Sequence, residues 1–178
     1  MMVCRSLVLF FALGASSNCW GEEKTSLNPH LEPLRPLLGK TWQGNFKDSK
    51  PEKPTIDVVR WERALNGQAV RVLHSINQGI YGGETLFVWS EQKQALVYHY
   101  FTTAGFTTSG TLEVKGGKFF THEDVAGDGT GITEVRATTE FLPDGKMHVV
   151  AEYRKNGTWV PGHEVTYHEE PGAEVVYK

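Results

Sequence analysis

The 178-residue sequence predicts an all-β fold, a single up-and-down antiparallel barrel of about ten strands behind a short N-terminal helical plug. Three observations predict it. Glycine is abundant, at 19 residues, and long Ala/Glu/Leu runs are missing, which suits short strands and tight turns. Runs rich in Val, Ile, Thr and aromatics recur, separated by turn signals such as Asn66-Gly67, Gly116-Gly117, Asp144-Gly145 and Asn156-Gly157. Nearly all the separators are of hairpin length, so neighbours in sequence become neighbours in the sheet. Such a series leaves two bare edges unless it closes, which favours a barrel over an open sandwich or a propeller fragment.

Residues 1–21 are of another kind. Arg5 precedes the apolar run Ser6–Ala15, which is far short of the roughly 20 residues that span a bilayer as a helix. A charged start, a short apolar stretch and small residues read as a secretory signal peptide, cleaved after Ser17 or Gly21. The expected product is exported, periplasmic or secreted, with no transmembrane segment in the mature chain. Lipid anchoring at Cys19 is disfavoured, because Asn18 beside it suits a lipoprotein box poorly. Cys4 lies inside the signal, so the mature domain has no internal disulfide.

A leader and plug occupy residues 22–39. Leu31, Leu34, Leu37 and Leu38 have helical spacing, but Pro29, Pro33 and Pro36 limit the helix to a turn or two before Gly39. The barrel is expected over 40–170. Its predicted strands are 42–47, 55–64, 69–76, 84–90, 95–103, 106–114, 118–125, 132–142, 147–154 and 159–168, and 171–178 form a tail. Tyr81-Gly82-Gly83 reads as loop, and Gly127-Asp128-Gly129-Thr130-Gly131 as a turn that lacks the ligand run of a calcium loop.

The plug, the opening Leu37-Leu38-Gly39-Lys40-Thr41-Trp42-Gln43-Gly44 and the antiparallel run after it resemble the lipocalin-like (calycin) superfamily, in particular nitrobindin-like barrels. The segments 74–84, 100–106 and 156–167 look like an exported lipocalin-like family of unknown function. The resemblance spans about residues 31–168 and implies the fold. Nitrobindin-like barrels bind haem through one late histidine, so the resemblance adds haem at His163 as a lesser alternative; no cofactor is otherwise assigned.

Composition excludes some functions. Eighteen Lys and Arg against 21 Asp and Glu, a net charge of −3, leave no basic footprint for nucleic acid. Nucleophile-elbow, zincin and phosphate-loop motifs are missing, and the seven histidines show no zinc-ligand spacing, so neither catalytic nor metal residues are assigned. Trp42 is expected to pack across the closed end with its indole N–H hydrogen-bonded. Arg60, Arg71 and Arg136 are expected to face outward, paired with carboxylates across the sheet.

Three histidines share a strand face with apolar residues: His74 with Val70, Val72 and Ile76; His99 with Val97 and Phe101; His163 with Trp159, Val165 and Tyr167. The aromatic supply (five Trp, six Tyr, nine Phe) exceeds what strand pairing needs. The expected function is therefore binding of a small lipophilic molecule inside the barrel, with a fatty acid as the default ligand. The candidate contacts are His74, Trp89, His99, Tyr100, Phe106, His163 and Tyr167. The alternative is a filled structural or protein-interaction barrel of the cell envelope. An enzyme pairing an interior histidine with Glu62 ranks below both.

Overall fold

Leu31, Leu34 and Leu37 are essentially fully buried, and the short helix that carries them closes one end of a barrel. The computed structural model describes residues 26–126 and 129–178. The expected signal peptide and Cys19 lie outside the described residues. The plug is a 3-10 helix, Pro29–Leu37, capped by the Asn28 side chain, which accepts from the His30 amide. Three prolines in nine residues remove backbone donors and keep the segment from forming a regular α-helix. Backbone hydrogen bonds seat the plug, Asn28 N–H on the Gly67 carbonyl and Gly39 N–H on that of Trp61. Gly67 is required there, because a Cβ would stand 2.1 Å from the Ser26 oxygen.

Ten antiparallel strands form the barrel. They are β1 (Thr41–Phe46), β2 (Ile56–Ala64), β3 (Ala69–Ile76), β4 (Tyr81–Ser90) and β5 (Ala95–Thr102), then β6 (Thr107–Lys115), β7 (Lys118–Val125), β8 (Ile132–Phe141), β9 (Met147–Lys155) and β10 (Thr158–Glu169). Each pairs with the next, and β1 pairs with β10, from Trp42 opposite Glu169 to Phe46 opposite Val165, so no edge remains.

Two local expectations are corrected. Gly82 and Gly83 belong to β4 rather than to a loop, and neither has positive φ. They are glycines because neighbouring atoms occupy the space of a Cβ, at 2.4 Å for the His74 carbonyl oxygen over Gly82 and 2.3 Å for that of Phe101 over Gly83. Trp42 is buried as expected, but its indole N–H has no hydrogen-bond partner among the described residues. The arginines do face outward, Arg60 and Arg71 on Glu62 and Arg136 on Glu152.

The plug-side half of the barrel holds the apolar core. Trp61, Val70, Phe87, Leu96, Tyr98, Leu112 and Phe119 pack there beneath the leucines. The other half is not filled.

Candidate ligand cavity

At the end away from the plug, the inward residues of successive strands enclose a cavity of about 400 Å³, open to solvent on one side. Its wall combines Phe46, Ile76, Phe106, Val125, Ile132 and Val135 with Asp57, His74, Tyr81, Tyr100, Glu123, Tyr153, His163 and Tyr167. The apolar groups come mainly from the rim ends of strands, while the polar ones form three hydrogen-bonded groups.

The first group centres on Asp57, which is 5% exposed and in phase with buried Val59 and Trp61 on β2. His74 Nδ1 lies 3.0 Å from Asp57 Oδ1, and the Tyr167 hydroxyl donates to Oδ2 at 2.8 Å. Strand pairing makes this automatic, since His74 sits opposite Val59 on β3, one inward step from Asp57. His74 Nε2 is 2.7 Å from the Tyr100 hydroxyl, which in turn is 3.0 Å from that of Tyr81. A chain of polar contacts thus runs from a buried carboxylate through an imidazole to two phenols on the cavity wall. Burial pushes the Tyr100 phenol well above the usual tyrosine range, helped by its bond to Tyr81. Burial does the same for Tyr167, with the Asp57 charge beside it adding to the effect. Both therefore remain neutral hydroxyls.

The second group is Tyr153 and His163, whose hydroxyl oxygen and Nδ1 lie 2.6 Å apart. A bulge between Pro161 and Glu164 changes the inward phase of β10. His163 therefore faces the cavity with Val165 and Tyr167, whereas Trp159 lies outside, 4.4 Å under the Arg136 guanidinium. The expectation that Trp159 and His163 share a face is corrected by that bulge. Burial pulls the His163 pKa below its ordinary 6.5, so the imidazole is neutral at pH 7.

The third group is Glu123 on β7, to whose Oε2 the Tyr98 hydroxyl donates at 3.1 Å. Burial is the main cause that raises the Glu123 pKa above its ordinary 4.5, against the opposing influence of the Thr108 and Tyr98 hydroxyls.

Of the residues proposed from sequence, His74, Tyr100, Phe106, His163 and Tyr167 line this cavity. Trp89 points inward but at the opposite end, stacked on His30 of the plug with ring centroids 3.6 Å apart. His99 is corrected outright. It is exposed on the outer face with Phe101, because the inward set of β5 is Leu96, Tyr98 and Tyr100. Glu62, the acid suggested for an interior histidine, is outside with Arg60 and Arg71, and Asp57 occupies the interior position instead. Sequence reasoning passed over Asp57, Tyr81, Glu123 and Tyr153. Two signals were available, Asp57 in phase with Val59 and Trp61, and Glu123 in phase with Phe119.

A haem does not fit the residues present. No Lys or Arg lines the cavity to meet the propionates, and two carboxylates line it instead. Nδ1 of His163 is already engaged by a phenol rather than by the carboxylate or carbonyl that usually raises the basicity of a metal-bound imidazole.

No protein-family model matches the sequence, and no curated protein matches it. Among solved structures, the crystal structure of Rv2717c from M. tuberculosis matches with a TM-score of 0.59 at 16% identity, covering 82% of this chain and 99% of that one. At this identity the likeness establishes the barrel fold alone.

Proposed function

We propose that this protein is an exported cup that binds one small lipophilic molecule in the open half of its barrel. The observation that carries the reading is the cavity itself, apolar at its rim, with a few convergent polar groups on its wall, the usual composition of a ligand site. The apolar core on the plug side gives the cup a floor, and the apolar run over residues 6–15 supports export. A filled interaction barrel is disfavoured, because the open half has room that its own side chains leave vacant.

The test is uptake of Nile red, a neutral apolar dye whose emission rises out of water. Saturable uptake by the wild type, lost in Val135→Trp, supports the cup. Uptake unchanged in Val135→Trp places the dye elsewhere and overturns it.

A second reading has its own observation, the Asp57–His74 contact at 3.0 Å beside an accessible cavity. A carboxylate-held imidazole is the ordinary arrangement of a general base. His74 Nε2 is occupied by Tyr100, so the group that would meet a substrate is the phenol chain, which burial keeps neutral. That favours binding over proton abstraction. Chemical change in a ligand recovered from the wild type but not from His74→Gln would reverse the preference.

A further inference from the structure

We propose that the cavity selects a protonated organic amine on an apolar body, in preference to the matching carboxylate, with Glu123 as the ammonium partner. The inference rests on the cup reading and deepens it. It replaces the fatty acid as the expected ligand.

Three features of the wall lead to it. First, its fixed charges are one-sided. Asp57 and Glu123 line the cavity, no Lys or Arg does, and the His74 imidazole is committed to Asp57. His163 adds no positive charge at neutral pH, because burial disfavours its protonated form.

Second, the two carboxylates are unequally engaged. Asp57 is met on both oxygens, by His74 at 3.0 Å and Tyr167 at 2.8 Å. Glu123 is held by the Tyr98 phenol at 3.1 Å and has no salt bridge among the described residues. A buried carboxylate without a cation is costly, and a ligand ammonium removes that cost.

Third, the wall is rich in aromatic rings, including Phe46, Tyr81, Tyr100 and Phe106. Ring faces attract cations and repel anions. The apolar part of the ligand is then left to Val125, Ile132 and Val135, which flank Glu123 along β7 and β8. A carboxylate ligand would face Asp57 and Glu123 with no Lys or Arg on the wall to meet it.

The experiment displaces Nile red with three matched ligands at neutral pH and low salt: 4-phenylbutylamine, 4-phenylbutanol and 4-phenylbutyrate. The expected order is amine over alcohol by about tenfold, the difference between a charge-assisted and a neutral hydrogen bond, with the carboxylate weakest. In Glu123→Gln the amine's advantage over the alcohol disappears while alcohol and dye still bind. A second variant, Thr85→Lys, changes a residue of β4 that also lines the cavity, places a cation on the wall and reverses the order toward the carboxylate. A wild type that binds the carboxylate as tightly as the amine, or a Glu123→Gln variant that keeps the amine's advantage, overturns the inference and leaves the cup standing. If neither the dye nor any of the three ligands binds, the cup fails and the inference with it.

Discussion

Tyr100 lies across Gly83 of the neighbouring strand, so that a Cβ at Gly83 would stand 2.4 Å from the tyrosine ring. The pairing repeats around the barrel. Tyr98 covers Gly110, Tyr167 covers Gly44 and Tyr153 covers Gly162, with corresponding distances of 2.6, 2.8 and 2.9 Å. Each glycine lets a large ring lie flat on the inner wall instead of standing across the barrel. The rings of Tyr100, Tyr153 and Tyr167 then line a cavity that upright rings would fill.

Gly83→Ala is therefore expected to destabilise the fold by about 1–3 kcal/mol, the usual cost of overpacking. The displaced Tyr100 ring should also enter the cavity and weaken Nile red uptake. Urea unfolding and dye titration measure the two effects, and an alanine that is silent in both would refute the account.

Asp57 anchors two partners from different strands, His74 on β3 and Tyr167 on β10, so it ties the barrel across its closing seam. Tyr167→Phe removes one hydrogen bond to a charged group and should cost about 1.5–3 kcal/mol. Asp57→Ala strands both partners and should cost about 3–5 kcal/mol, as breaking a buried pair does. The double variant should cost less than the sum, since the two changes share one interaction. Strict additivity in urea unfolding would show that the contact contributes nothing.

Strands were legible because turn chemistry was. The starts of β3 at Ala69 and of β7 at Lys118 follow from Asn66-Gly67 and Gly116-Gly117. Which side of a strand faces in was harder. On β5 both alternations carry apolar residues, Leu96 and Tyr98 on one and Val97 and Phe101 on the other, so period two does not choose, and His99 was assigned inward with the wrong set. On β10 the bulge after Pro161 changes phase in mid-strand and separates Trp159 from His163. The cavity was least legible, because no strand contributes more than two residues and closure alone brings Asp57, Glu123 and His163 to one end.

Glu123 carries a pH signature. Its folded pKa is raised above the ordinary 4.5, so the native state takes up its proton more readily than the unfolded chain. The buried charge destabilises the fold above the folded pKa, and the penalty fades as pH falls through that pKa toward 4.5. Glu123→Gln should therefore be more stable than wild type at neutral pH, and the advantage should vanish below about pH 4. Urea midpoints across this range test it. A variant equally less stable at every pH would mean that the carboxylate is structural.

His163 has the opposite signature. Its folded pKa lies below 6.5, so its contribution is complete above 6.5 and is lost as pH falls from there through the folded value. His163→Gln keeps an acceptor for Tyr153 and cannot charge. It should flatten the loss of stability that the wild type shows below about pH 6.5. Parallel slopes for the two proteins would place the acid sensitivity in another group.

The same histidine decides the haem question. Ligation through His163 would require an iron–imidazole bond in a wall that offers two carboxylates and no cation to the propionates. It would also require Tyr153, 2.6 Å from Nδ1, to accept a hydrogen bond from the ring rather than donate one. Burial raises the Tyr153 pKa, which keeps that phenol protonated and able to donate. When the phenol donates, the neutral ring carries its proton on Nε2, and the lone pair that iron needs is absent. Titration with ferric haem is therefore expected to leave the Soret band as in buffer, in wild type and His163→Ala alike. In Tyr153→Phe the imidazole is released from that bond, and any haem affinity His163 possesses should emerge there first. A Soret shift in the wild type that His163→Ala abolishes would overturn this reading and restore the haem site that the resemblance implied.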